Sequence, residues 1–207
     1  MSYDLWATFA LASFILLIIP GPTILLVVSY AIGLGRKEAL AMVAGVALGD
    51  FLAMTATLCG LGAMMLASAT LFTVMKWGGA LYLVWMGFRL IKTAAHSPAK
   101  LESVSQKTPY RAFADAAIVT LLNPKSIGFF VAFVPQFITP DAPLFPQFSI
   151  MIVTFVGLGS LNALAYALLA GHARTTIRQP HILAWMQRLG GTLLIGLAAL
   201  TATLKRV

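Results

Sequence analysis

The stretch LWATFALASFILLIIPGPTILLVVSYAI, residues 5–32, has no charged side chain and is interrupted near its centre by Pro20-Gly21-Pro22. About 20 apolar residues in a helix cross the ~30 Å hydrocarbon core of a bilayer, so this run is long enough to span one. It does not alternate, which excludes a barrel strand of about 10 residues. Nor is it one uninterrupted helix. Each proline removes a backbone donor and clashes with the preceding turn, and Gly21 adds freedom between them. A broken helix at membrane depth is tolerated only where protein shields it or it faces a watery cavity. Asp4 is the only charge ahead of the run, and no small-residue cleavage site follows it, so it reads as a retained first helix and not a signal peptide.

The rest of the chain follows the same pattern. Of its 207 residues 60% are hydrophobic and only 10% charged, against roughly 25% charged in a soluble domain. A soluble chain this apolar would expose patches that aggregate. No charge lies between Asp4 and Arg36, between Asp50 and Lys76, or between Asp141 and Arg174. The apolar runs predict six transmembrane helices, near 5–32, 39–66, 70–91, 112–138, 147–170 and 183–204. The expected fold is an all-α integral membrane protein forming a single domain over 1–207. One repeat covers about 1–92 and a second about 112–207. A cytoplasmic linker of about 93–111, with Ser97, Pro98, Ser103, Ser105 and Pro109, joins them.

A net charge of +8 could suggest nucleic acid, but the basic residues sit between apolar runs, as in membrane proteins. The first, third and fifth loops hold Arg36, Lys37, Arg89, Lys92, Lys100, Lys107, Arg111, Arg174, Arg178 and Arg188; the opposite side holds Lys76, Lys205 and Arg206, with a short link before Lys76. The positive-inside rule makes the first set cytoplasmic and places both termini outside. Cys59 has no second cysteine to pair with, and His96, His172 and His181 fall in loops without ligand spacing, so neither a metal nor a cofactor is expected.

The halves echo each other in order. Ile19-Pro20-Gly21-Pro22 corresponds to Leu122-Asn123-Pro124-Lys125, Val46–Asp50 to Val156–Ser160, and Lys76–Gly79 to Arg188–Gly191. Each half has three helices, an odd number, so the second enters from the opposite side. This predicts an inverted repeat with broken first and fourth helices, an architecture of many secondary transporters.

The breaks carry chemistry. Pro22 suits the first turn of a new half-helix, whose leading N–H groups are unpaired and attract an anion. Asn123 is a good N-cap, Pro124 suits the first helical position, and Lys125 then lies at a positive helix end. That placement requires an anion, with Asp50 and an anionic substrate group as candidates. Asp50, alone in the second helix, costs about 2.5–3.5 kcal/mol on insertion scales, and such acids usually face the bundle interior and mark ion or proton paths. Pro22, Asp50 and Asn123 each lie about 11 residues into a span, about 17 Å deep at 1.5 Å per residue. The candidate substrate-binding residues are therefore Pro20, Gly21, Pro22, Thr23, Asn123, Pro124, Lys125 and Asn162, with Asp50 for the coupling proton or a substrate amine. Asn162 and Tyr166, one turn apart, line the same cavity or hydrogen-bond between helices. Gly45 and Gly49 form a small-xxx-small pair that lets helices approach closely. Gln136 beside Pro135 marks the outer end of the fourth helix, and Tyr82 and Trp85 are packing or belt residues.

At these residues the chain resembles the LysE/RhtB amino-acid exporters. The motifs are Pro20-Gly21-Pro22, Gly-x-x-x-Gly-Asp over Gly45–Asp50, Leu122-Asn123-Pro124-Lys125 and Phe133-Val134-Pro135-Gln136-Phe137. The resemblance covers nearly the whole chain. It implies export of amino acids or related metabolites across the bacterial inner membrane, driven by the proton-motive force. The implied partners are the small-molecule substrate, protons and the bilayer, with no nucleic acid; a homo-oligomer is left open. Ser160 stands where the second half would match Asp50, so a carboxylate switch is one-sided.

A membrane-embedded enzyme is the rival from another class. It would gather acid, base, nucleophile or metal ligands at one depth, whereas the central ionisable residues read here are Asp50 and Lys125. A metal exporter lacks the expected Cys and His richness. The topology is testable with cysteines introduced at Ser103 and Asp141 in a Cys59→Ala background. Impermeant maleimide is expected to label them from opposite sides of the membrane; labelling from one side overturns the six-span inverted repeat.

Overall fold

In a computed structural model the chain is described over residues 1–34, 36–93, 108–170 and 179–203. Most of the Ser/Pro linker lies outside these residues, as do His96, His172, Lys100, Lys107, Arg174, Arg178, Lys205 and Arg206. The described residues form helices α1 (Tyr3–Ile18), α2 (Pro22–Gly33), α3 (Arg36–Ala67), α4 (Ala69–Thr93), α5 (Pro109–Leu121), α6 (Pro124–Phe133), a 3-10 turn (Val134–Phe137), α7 (Leu144–Leu168) and α8 (Pro180–Thr203).

Both predicted breaks are present. α1 and α2 meet at 54°, and α5 and α6 with its 3-10 turn meet at 41°. α3 and α7 are each long and apolar enough to cross a membrane alone, and each bent pair is so as one span. Among the described residues that makes up to four spans by length and composition. α4 and α8 have 25 and 24 residues, enough for the core in length. Lys76, Arg89 and Lys92 fall within α4, and His181, Gln187 and Arg188 within α8. The two pack on one another. Ser68 alone separates α3 from α4, the short link expected before Lys76.

The core has two parts. One gathers Phe9, Ala12 and Leu16 of α1, Ala53, Met54, Leu58 and Leu61 of α3, Phe129, Phe130 and Phe133 of α6, and Met151 and Phe155 of α7. The other gathers Ile24, Val27, Val28 and Tyr30 of α2, Met42 and Val46 of α3, Ala112 and Ala116 of α5, and Ala163 of α7. The first broken helix therefore runs from the first core to the second, and the second broken helix runs back. α3 and α7 also traverse the cores in opposite senses. The halves repeat the order broken helix, long helix, long helix with direction reversed, as an inverted repeat requires. Gln136 sits in the buried 3-10 turn, where Phe133 and Phe137 stack edge to face at 4.7 Å.

Glycine sets the closest approach. A Cβ at Gly49 of α3 would lie 2.6 Å from the Ala117 carbonyl and 2.7 Å from Thr120 Cβ, so α5 backbone rests directly on it. Gly45 meets Phe113 and Ala116 of α5 one turn earlier, as the small-residue pair predicts. Tyr82 packs over Gly128 of α6 and lies 5.4 Å from Trp85, whose ring carries the Arg89 guanidinium at 5.4 Å. Because overpacking against backbone costs about 1–3 kcal/mol, Gly49→Ala and Gly45→Ala should lower the melting temperature in detergent. Gly60→Ala, where a Cβ meets nothing within 4 Å, should hold or raise it through helix propensity. Equal melting temperatures for all three would contradict this packing.

Candidate functional site

In a continuous helix the carbonyl of residue i accepts from the N–H of residue i+4. Pro20 and Pro22 have no N–H, so the carbonyls of Leu16 and Ile18 lose their helical partners by covalent structure alone. Extended backbone at Ile19 and Gly21 turns the N–H groups of Gly21 and Thr23 away from Leu17 and Ile19. Four successive carbonyls at the end of α1 then need donors. All four receive them from side chains of the second half. Lys125 Nζ donates to Leu16 and to Ile19, each at 2.7 Å. Asn162 Nδ2 donates to Leu17 at 2.9 Å, and Tyr166 Oη to Ile18 at 2.9 Å.

This placement revises one expectation. Lys125 does occupy the first turn of α6, but its side chain leaves that positive end and reaches the negative end of α1. An ammonium there is favoured by the helix dipole as well as by its hydrogen bonds. A lysine has three donors, and its bonds to Leu16 and Ile19 use two. Asn162 and Tyr166 bond between helices, and their acceptors are broken-helix backbone.

The two half-helix starts face each other. Asn123 caps α6 by accepting from Lys125 N–H at 3.0 Å, while its Nδ2 donates to Thr23 Oγ1 at 3.1 Å in the first turn of α2. Thr120 Oγ1, at the end of α5, reaches the same Thr23 oxygen at 3.4 Å. Gly21 caps α2 without a side chain, and the first intrahelical bond there is Leu25 N–H to the Gly21 carbonyl. The N–H groups of Thr23 and Ile24 thus precede the helical ladder, the arrangement that attracts anions.

Between these elements lies a cavity of about 20 Å³, room for about one water. Gly21, Thr23, Asn123, Lys125, Asn162 and Asp50 line it, with Leu17, Ile24 and Val46 as apolar walls. Pro20, Pro22 and Pro124 shape the backbone around it without being part of that lining. Asp50 is 2% exposed and interacts electrostatically with Lys125 across the space. A Cβ at Gly159 would come 2.6 Å from Asp50 Oδ2, so α7 makes room for the carboxylate by having no side chain there. The cavity sits where the two cores meet: Asp50 falls between Val46 and Ala53 on α3, and Gly159 between Phe155 and Ala163 on α7.

Residues not singled out from the sequence complete the site. Thr120, Ser126 and Gly159 line the cavity. About two turns away, Tyr30 of α2 donates to Asp115 Oδ2 of α5 and ties these half-helices together. An acid inside a span signals a partner, so Asp115 was open to detection. The hydroxyls of Thr120 and Ser126 carry no such signal.

A family model described as LysE type translocator matches residues 14–204. The chain is 32% identical over 99% of its length to all of an uncharacterized membrane protein of Vibrio cholerae. It is 31% identical to the homoserine/homoserine lactone efflux protein of Salmonella typhimurium, covering 98% of each chain. To the leucine efflux protein of Salmonella choleraesuis it is 28% identical, over 96% of this chain and 94% of that one. No solved structure matches it. The chain belongs to the LysE type translocator family, and it is an integral membrane protein.

The cap at Asn123 is directly testable. Asn123→Ala removes both the helix cap and the bond to Thr23, and loss of a cap alone costs about 0.5–2 kcal/mol. Its melting temperature should fall further than that of Asn123→Asp, which retains the acceptor for Lys125 N–H and loses the donor to Thr23. Equal melting temperatures would mean that the cap on Lys125 N–H contributes nothing.

Proposed function

We propose that the protein exports amino acids or closely related small metabolites across the bacterial inner membrane by alternating access, with the proton-motive force as the drive. One observation carries this reading. Two broken helices of opposite direction bring their half-helix starts together in a cavity that also holds one buried acid and one buried base. An amino acid is a zwitterion, and the site is charged to match one. The substrate carboxylate binds at the N–H groups following Pro22 and Pro124, aided by the remaining donor of Lys125 and by Asn123 and Asn162. Asp50 receives the amine or carries the coupling proton. Leu17, Ile24 and Val46 leave an apolar wall for the side chain.

The names of two relatives, homoserine/homoserine lactone efflux and leucine efflux, support a neutral amino acid. The lining points the same way: beyond Asp50 it offers no acid to a second substrate cation. A cavity of about 20 Å³ requires a conformational change before an amino acid fits, and rocking of one repeat against the other supplies it. The orientation that accompanies this reading places both termini outside and the positively charged loops in the cytoplasm.

Efflux from preloaded cells, screened over a panel of amino acids, tests the reading. Lys125→Met and Asp50→Asn should each abolish efflux of the substrate found, and the double variant should reach the membrane yet stay inactive, its stability lowered by the Leu16 and Ile19 carbonyls that lose their donor. If the two charges only stabilise each other, each single variant leaves a buried charge unpaired at about 3–5 kcal/mol, and the double variant regains efflux together with the stability that the unpaired charge cost. Near wild-type efflux from the double variant at normal protein level would refute the assigned roles.

A further inference from the structure

We propose that Lys125, Asn162 and Tyr166 form a latch on the end of α1, and that Tyr166 is a positioning residue that sets how readily the cavity opens. The proposal rests on the transport reading above for its kinetic consequence, and on geometry for the latch itself.

The geometry has three parts. First, α1 is severed from α2 by Pro20 and Pro22, so it can swing as a unit without breaking helical hydrogen bonds. Second, four consecutive carbonyls of α1 are held by side chains from α6 and α7, and not by neighbours in sequence. Third, the cavity behind them has room for about one water, so the latched arrangement is closed to anything the size of an amino acid. Movement of α1 away from α6 and α7 opens the space, and the four carbonyls then find water in place of these donors. A substrate carboxylate entering at Lys125 competes with Leu16 and Ile19 for the ammonium. Binding of substrate thereby loosens the latch that excluded it.

Tyr166 isolates the latch from the binding site, because it bonds the Ile18 carbonyl and is not part of the cavity lining. Removing its hydroxyl weakens the closed state and leaves every cavity group in place. When only the open fraction of a transporter binds substrate, apparent affinity is reduced by that fraction. Loss of one hydrogen bond that exists only when closed raises the open fraction by about two- to tenfold.

The test uses the full-length protein in membranes with Cys59→Ala and a reporter cysteine at Ile24, a cavity wall. In Tyr166→Phe, labelling of the reporter by a water-soluble maleimide should accelerate about two- to tenfold. In the Tyr166→Phe protein without the reporter, the KM for efflux of the substrate found by the screen should fall by a similar factor. A purely structural tyrosine would lower protein level while leaving both readouts at wild-type values. Asn162→Ala, which frees Leu17, should accelerate labelling likewise and serves if Tyr166→Phe fails to insert. Unchanged or slower labelling in the variants that insert overturns the latch. Labelling needs no transport, so accelerated labelling without efflux of any amino acid rejects the proposed function and keeps the latch.

Discussion

Backbone carbonyls without partners are the constraint around which this molecule is arranged. In hydrocarbon each unsatisfied group costs several kcal/mol, and Pro20-Gly21-Pro22 creates four in succession. A soluble protein would let water satisfy them. Here α6 must place Lys125, and α7 must place Asn162 and Tyr166, within 2.7–2.9 Å of one short segment. That demand fixes the positions of α6 and α7 relative to α1. It also brings the second break, at Asn123 and Pro124, against the first. Asp50 and the cavity occupy the space left where these meet.

The glycines serve the same end from the other side. α3 can approach the end of α5 only because Gly45 and Gly49 present no side chain, and α7 can pass Asp50 only because Gly159 presents none. The pseudo-equivalent glycines, Gly49 and Gly159, thus do related work on different partners: one receives backbone, the other a carboxylate. This difference is the structural form of the Asp50/Ser160 asymmetry. The fold is repeated, but its chemistry is not.

Much of this was legible in the sequence because it is local. A proline's missing N–H acts on the residue four earlier, charge-free runs give spans, and the N-cap preference of Asn123 needs only its neighbours. The helix limits, both breaks and the clustering of Thr23, Asp50, Asn123, Lys125 and Asn162 follow from such rules. The direction of the Lys125 side chain did not. Local reasoning puts it at the positive start of α6 and asks for an anion; Asp50 does face it across the cavity, but the lysine's hydrogen-bond partners are carbonyls more than a hundred residues earlier in the chain. Asp115 signals a partner as an acid inside a span, but that the partner is Tyr30 is not legible for a similar reason: a pair between distant elements leaves no periodic trace.

The donors of the α1 cap all come late in the chain. Lys125 lies 109 residues after Leu16, and Tyr166 lies 148 after Ile18. A ribosome therefore releases the broken first helix well before anything that can satisfy it exists. Through that interval α1 and α2 must keep their exposed carbonyls near water, at the bilayer surface or inside the insertion machinery. They reach their final depth only once α6 and α7 have been made. Assembly of this small protein is consequently not a matter of threading one finished helix after another. Its first segment is among the last to settle.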